Sequence, residues 1–204
     1  MACGGYQRGL PGVGGYAPSS ATGGDSDEFY TPRWVRELLE PLKLDMDPCS
    51  PPHRPIPATD HCVLTEGRNG LEQDWRGRVF CNPPYNGGAL EVWTAKCLME
   101  VEAKRAEVVI GLIPLRPGCN YWHASIWDKA WAIGLVAGRV AFEGLDGKPM
   151  RGPKGQVIKA SFESAMVVWA GSEAVARATV ARLRHERIRW IGARERWGNV
   201  GSGT

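Results

Sequence analysis

The stretch Val108-Val109-Ile110-Gly111-Leu112-Ile113 constrains the fold more than any other part of the chain. It is an almost unbroken apolar run closed by Pro114, and it follows a segment of helical periodicity with Leu90, Trp93, Cys97 and Val101 on one face. A strand without polar alternation offers no side to water, so it must be covered on both faces by helices. Further strand candidates surround it at 44–48, 61–65, 78–81, 132–136 and 165–169. Thr31-Pro32 reads as an N-cap followed by proline at the first helical position. Val35, Leu38, Leu39 and Leu42 continue at helical spacing until Pro41 ends the turn. Helices are also predicted at 120–131 and, starting at Ser172, at 172–191. Residues 50–60 hold four prolines and are expected to be loop. Alternating strands and helices predict an α/β sheet with helices on both faces.

The 204 residues suit one domain with a substantial core. Residues 1–26 are rich in Gly, Ser and Pro without periodicity, and are expected to form a disordered tail. The main folded domain is then expected over 27–171, and a basic helix and tail over 172–204. The net charge is only +3, but it is unevenly spread: residues 172–204 carry seven arginines against three acids. A second basic stretch, 139–159, contains Arg139, Lys148, Arg151, Lys154 and Lys159. Such late positive charge suits either contact with phosphates or a solvated surface. Six cysteines without a C-x-x-C pair fit free thiols in a reducing cytoplasm. Cys49, His53, His61 and Cys62 match no common zinc spacing, so no metal is expected. No apolar run approaches membrane-spanning length.

Asn82-Pro83-Pro84-Tyr85, directly after an apolar strand candidate, carries the chemistry. An amine on an aromatic ring is a poor nucleophile because its lone pair is delocalised. Accepting hydrogen bonds from both N–H groups draws the nitrogen toward tetrahedral geometry and frees that pair. The Asn82 side-chain oxygen is one acceptor and the Pro83 carbonyl the second. Pro84 keeps residue 83 extended and the two rings fix φ, which makes a stiff elbow at a strand end. Tyr85 offers an aromatic face for a base. Preorganised polar groups carry such a reaction, without a general base.

The order Tyr30-Thr31-Pro32, Leu44-Asp45-Met46-Asp47-Pro48-Cys49-Ser50, Asn69-Gly70-Leu71-Glu72-Gln73-Asp74-Trp75 and Val79-Phe80-Cys81-Asn82-Pro83-Pro84-Tyr85 resembles the phage-type DNA N6-adenine methyltransferases. The resemblance covers about residues 27–170. It implies an S-adenosylmethionine-dependent enzyme that methylates the exocyclic amine of a flipped adenine, with DNA as partner and a bacterial cytoplasm as setting. It also implies a Rossmann-like methyltransferase sheet, with Asn82, Pro83, Pro84 and Tyr85 as the amine-binding motif. Tyr30, Thr31 and Pro32 would touch the methionine end of the cofactor. Asp47 and Pro48 would form the acidic turn after the first strand, and Asn69 would meet adenine or ribose. No glycine-rich loop follows Asp47, and Asn stands at 69 where the family often has Asp. Only 34 residues separate Asp47 from Asn82, too few for two strand–helix units, so the sheet is expected to be abbreviated there.

Asp45 and Asp47 alternate along one strand and face opposite ways; Asp47, at its end, is the better ligand. Trp75 is expected in the core, as are Trp122, Trp127 and Trp131. Arg116, after another strand end, suits a phosphate or an ordinary ion pair. With the basic stretch it makes the DNA-contact set Arg116, Arg139, Lys148, Arg151 and Lys154. The N-P-P-Y chemistry also serves an RNA base or a protein glutamine amide, and a non-catalytic nucleic-acid-binding relative is the alternative outside enzymes. A monomer is expected.

Overall fold

The computed structural model describes residues 30–85, 88–144 and 146–192. The tail expected over 1–26 and the residues after 192 lie outside them. Seven strands form one sheet: β1 (Leu44–Asp47), β2 (Ala58–His61), β3 (Gly77–Cys81), β4 (Ala106–Pro114), β5 (Ala132–Val136), β6 (Ser164–Ala170) and β7 (Ile188–Gly192). Their order across the sheet is β2-β1-β3-β4-β6-β5-β7. β2, β1, β3 and β4 are parallel, β6 runs antiparallel between β4 and β5, and β7 closes the far edge antiparallel to β5.

The apolar run is β4, in the middle of this order, and Val108, Val109, Ile110, Leu112 and Ile113 are all buried. Its side chains alternate between two cores. Val109 and Ile113 face α2 (Ala89–Glu102) and α3 (Asn120–Ser125), where Leu90, Trp93, Cys97, Val101 and Trp122 pack. Val108, Ile110 and Leu112 face the other layer, with Val35 and Leu39 of α1 (Arg33–Leu39) and Ala176 of α4 (Glu173–Arg182). Helices therefore cover both faces, in a methyltransferase-like α/β fold. Between β1 and β3 there is one short strand and one 3₁₀ turn but no α-helix, so the sheet is abbreviated on that side. No helix among the described residues is long and apolar enough to cross a membrane.

Several boundaries differ from the sequence reading. The final helix does not run to 191. It stops at Arg182, and Ile188, Arg189, Trp190 and Ile191 switch to strand pairing along β5. The helix expected over 120–131 ends at Ser125, and turns lead through Ala130 into β5. The strand expected at 61–65 lies earlier, inside the proline-rich stretch expected to be loop. β2 pairs Ala58, Asp60 and His61 with β1, helped by the Thr59 hydroxyl donating to the Asp45 carbonyl at 2.8 Å, and only one of its four side chains is apolar, so no apolar pattern marks it. Thr31 does not cap α1; the cap position is Pro32. Glu143, 110 residues away, accepts from Arg33 N at 2.7 Å and from Arg36 Nη2 at 2.8 Å, so it satisfies the exposed helix start instead.

Candidate active site

The carboxyl ends of β1, β3 and β4 open into one cleft of about 530 Å³. Tyr30, Thr31, Asp47, Asn82, Pro83, Pro84, Tyr85 and Arg116 all line it, so three of the sequence motifs and one strand-end arginine meet at one place. Ligands in open α/β sheets bind in the crevice outside the carboxyl ends of the strands, where neighbouring connections diverge.

β1 ends at Asp47, which is almost wholly buried. Its Oδ1 accepts from Cys49 N at 3.1 Å, which pins the turn. Its Oδ2 is buried without a hydrogen-bond partner. The nearest basic side chain is His61, whose Nδ1 lies 3.8 Å away. That ring approaches the Ala58 carbonyl through Nε2 at 3.1 Å, an approach that requires the proton on Nε2. Nδ1 lies 2.9 Å from the Ser50 hydroxyl, and the carboxylate oxygen receives no hydrogen bond. A buried anionic oxygen without a donor is costly, and here it lines a cleft that can admit one.

Asn82 follows β3. Its amide is held from two sides: Nδ2 donates to Thr31 Oγ1 at 3.1 Å, and Oδ1 accepts from the Tyr85 hydroxyl. Thr31 is free for this contact because it does not cap α1. The Tyr85 hydroxyl also lies 3.0 Å from the Leu112 carbonyl. Its ring is half-buried and packs edge-on to Phe162 at 5.5 Å and Phe142 at 6.1 Å, so it is less free as a stacking platform than its sequence position implies. Burial holds the phenol protonated well above its ordinary range.

Cys49 also lines the cleft, and burial pushes its thiol up to about 11. At neutral pH it is not a thiolate, which removes the most obvious covalent nucleophile from the site. Arg116 is exposed at the rim with its guanidinium 5.3 Å from the Phe162 ring centre, and among the described residues no carboxylate lies within ion-pair distance of it.

Other predicted residues lie elsewhere. Pro32 faces a neighbouring groove. Asn69 is turned into a local loop: Oδ1 accepts from Leu71 N at 3.1 Å and Nδ2 donates to Glu72 at 2.9 Å. Gly70 and Pro48 are in direct backbone contact, and an added methyl at 70 would meet the Pro48 oxygen at 2.0 Å. The 69–71 segment thus supports the Asp47-Pro48 turn from behind. Arg139 pairs with Glu163 at 3.5 Å outside the cleft, and Lys148, Arg151 and Lys154 are exposed on the loop beyond it. That loop is fastened by Glu143, whose backbone pairs with Tyr30. Sequence reasoning missed Glu143 and Phe162, which belong to no readable motif, and gave no role at the cleft to Ser50 or His61, which it had read only as part of a motif and of a rejected metal set.

No curated protein matches the chain. The model of the DNA N-6-adenine-methyltransferase (Dam) family matches residues 19–189, most of the sequence and all the motifs that meet at the cleft, and the chain belongs to that family.

Proposed function

We propose that this DNA adenine methyltransferase uses S-adenosylmethionine as donor and acts on an adenine swung out of the helix into the cleft. The observation that carries this reading is the convergence of the orphaned Asp47 carboxylate and the tethered Asn82 amide in one cleft. The donor set fits the cofactor. Asp47 Oδ2 is a free buried acceptor for its ammonium or ribose hydroxyls, and Tyr30 and Thr31 stand across the same cleft. The cofactor would supply an electrophilic methyl group on a sulfonium.

Asn82 Oδ1 and the Pro83 carbonyl accept the two N–H groups of the adenine amine. Both acceptors strengthen their hold as positive charge grows on the nitrogen, and their fixed geometry means little reorganisation at that moment. The Tyr85 hydroxyl now occupies Asn82 Oδ1, and it must yield. It has a second acceptor in the Leu112 carbonyl, so it can turn away with its proton satisfied. The Tyr85 ring and Phe162 supply aromatic surface to the base, and Arg116 stands free at the rim for a flanking phosphate. Drawing adenine out of the stack costs a few kcal/mol, which contacts to the DNA backbone must offset. Arg139, Lys148, Arg151 and Lys154 serve that role.

The test is incubation of the chain with unmethylated DNA and methyl-labelled S-adenosylmethionine, followed by digestion and nucleoside analysis. Label in N6-methyldeoxyadenosine is the expected result. Label in cytosine, in RNA alone or in protein would overturn the assignment.

A further inference from the structure

Beside the catalytic cleft lies a second groove of about 680 Å³. Its walls are the first turn of α1, the 136–143 segment leaving β5, Lys159 and Arg187. One chain segment separates the two cavities. Thr31 lines the cleft and Pro32 the groove, and consecutive Cα atoms are about 3.8 Å apart. On the other side Lys159 lines the groove while Ser161 and Phe162 line the cleft.

The groove is cationic. Arg33, Arg139, Lys159 and Arg187 face it. Its two acids are already engaged: Glu37 pairs with Arg33 at 2.7 Å, and the buried Glu143 serves Arg36 and the start of α1. Arg139 shares an exposed pair with Glu163. Among the described residues, Lys159 and Arg187 have no carboxylate within ion-pair distance. Arg187 is also held in place. Its carbonyl accepts from Ala137 N at 2.7 Å, its own N–H donates to His185 Nδ1 at 3.1 Å, and its guanidinium lies 5.8 Å from the Trp34 ring centre. Trp34 is packed at 5.0 Å against His185 on the same stretch. The two backbone hydrogen bonds fix the chain at this point, and the ring contact sets where the guanidinium starts from.

We infer that this groove seats the sugar–phosphate backbone of the DNA beside the target adenine, with Lys159 and Arg187 as its phosphate-binding cations. The inference rests on the base entering the adjoining cleft, since a backbone held here is one segment away from the strand ends where the amine is received. It extends the DNA contacts from the loop at 148–154 to the segments that flank β6 and β7.

The experiment uses the full chain, with Lys159→Glu, Arg187→Ala and the double variant, against a fluorescent unmethylated duplex. Affinity is read by anisotropy across a salt series. The double variant is expected to bind about tenfold more weakly at moderate salt, with a log–log salt slope shallower by about 1.8 for two phosphates no longer neutralised. Arg187→Lys should recover part of the affinity. The KM for DNA should rise while kcat at saturating DNA and S-adenosylmethionine affinity stay at parent values. Lys159 is exposed and its replacement does not threaten the fold; thermal unfolding checks the same for Arg187. A folded double variant with the parent's affinity and salt slope overturns the inference. Because binding is measured without methyl transfer, a parent chain that fails to methylate adenine but still binds through these two cations removes the proposed chemistry and leaves the groove standing.

Discussion

Replacing Gly70 by alanine should damage both the fold and the cofactor site, to an extent set by the local geometry. The new methyl would lie 2.0 Å from the Pro48 oxygen and 2.8 Å from its carbon, whereas real Cβ contacts essentially never fall under 3.0 Å. Something must therefore move by about 1 Å. Gly70 cannot retreat easily, because its carbonyl accepts from Trp75 Nε1 at 2.8 Å. Trp75 is fully buried, and its backbone N–H donates at 3.2 Å to the fully buried Glu100, itself clamped by Lys96 and Arg105. The Asp47-Pro48 turn must yield, and with it the carboxylate that faces the cleft. Overpacking of this kind costs about 1–3 kcal/mol. For a chain of this size that lowers the unfolding midpoint by roughly 3–10 °C. Moving the carboxylate should weaken S-adenosylmethionine binding by about tenfold, equivalent to about 1.4 kcal/mol. Differential scanning fluorimetry and calorimetric titration read the two effects. Gly118→Ala is the control, since a methyl there meets nothing within 4 Å. A Gly70→Ala protein with the parent's midpoint and cofactor affinity would refute the claim that this turn is braced from behind.

Asn82→Ala should leave the fold intact and lower the methylation rate by about 10²–10³, the usual cost of removing one preorganised acceptor; nucleoside analysis after timed incubation reads it, and near-parent activity would remove Asn82 from the reaction. Asp47→Ala should weaken cofactor binding far more than DNA binding, checked by parallel titrations, with unchanged cofactor affinity as the contrary result. Tyr85→Phe should keep much of the activity and reduce stability by about 0.5–1.5 kcal/mol through its missing hydroxyl, whereas Tyr85→Ala should be nearly inactive; equal damage from both would place the hydroxyl in the chemistry. Because burial raises the Tyr85 phenol, its stabilising neutral form is fully present below the ordinary tyrosine range of about 10 and disappears only as pH rises toward the folded value. A pH titration of stability should thus show no Tyr85 step below that range. Neutralising Lys148, Arg151 and Lys154 together should flatten the salt dependence of DNA binding by about 0.9 for each phosphate that these side chains no longer neutralise, and an unchanged slope would make that loop a bystander.

What could be read from the sequence follows its local physics. β4 was legible because five buried apolar side chains in one short run leave no alternative to two covered faces. The α2 face was legible because Leu90, Trp93, Cys97 and Val101 repeat at helical spacing. β2 was not, since its stability comes from backbone pairing with β1 and its side chains are only partly covered. β7 was hidden by the arginines around it. A run containing Arg182, Arg184, Arg187 and Arg189 satisfies a helix pattern as easily as an edge strand, and only pairing with β5 decides. The convergence of motifs at strand ends followed from chain order. Contacts between distant segments did not, and Glu143 is the clearest case, because an N-cap supplied from 110 residues away leaves no trace near the helix it caps.

That long-range cap also connects the two halves of the site. A threonine before a proline at a helix start ordinarily spends its hydroxyl on the first turn. Here Glu143 satisfies Arg33 N, so Thr31 Oγ1 is available to accept from Asn82 Nδ2. The same Glu143 pairs through its backbone with Tyr30, the residue before, and anchors the basic loop that carries Lys148, Arg151 and Lys154. One glutamate therefore joins the loop proposed to contact DNA, the helix start beside the cationic groove and, through Thr31, the amide proposed to receive the amine. If DNA binds that loop as proposed, its pull would reach Asn82 through the Tyr30–Thr31 segment, since Tyr30 pairs with Glu143 and Thr31 accepts from Asn82.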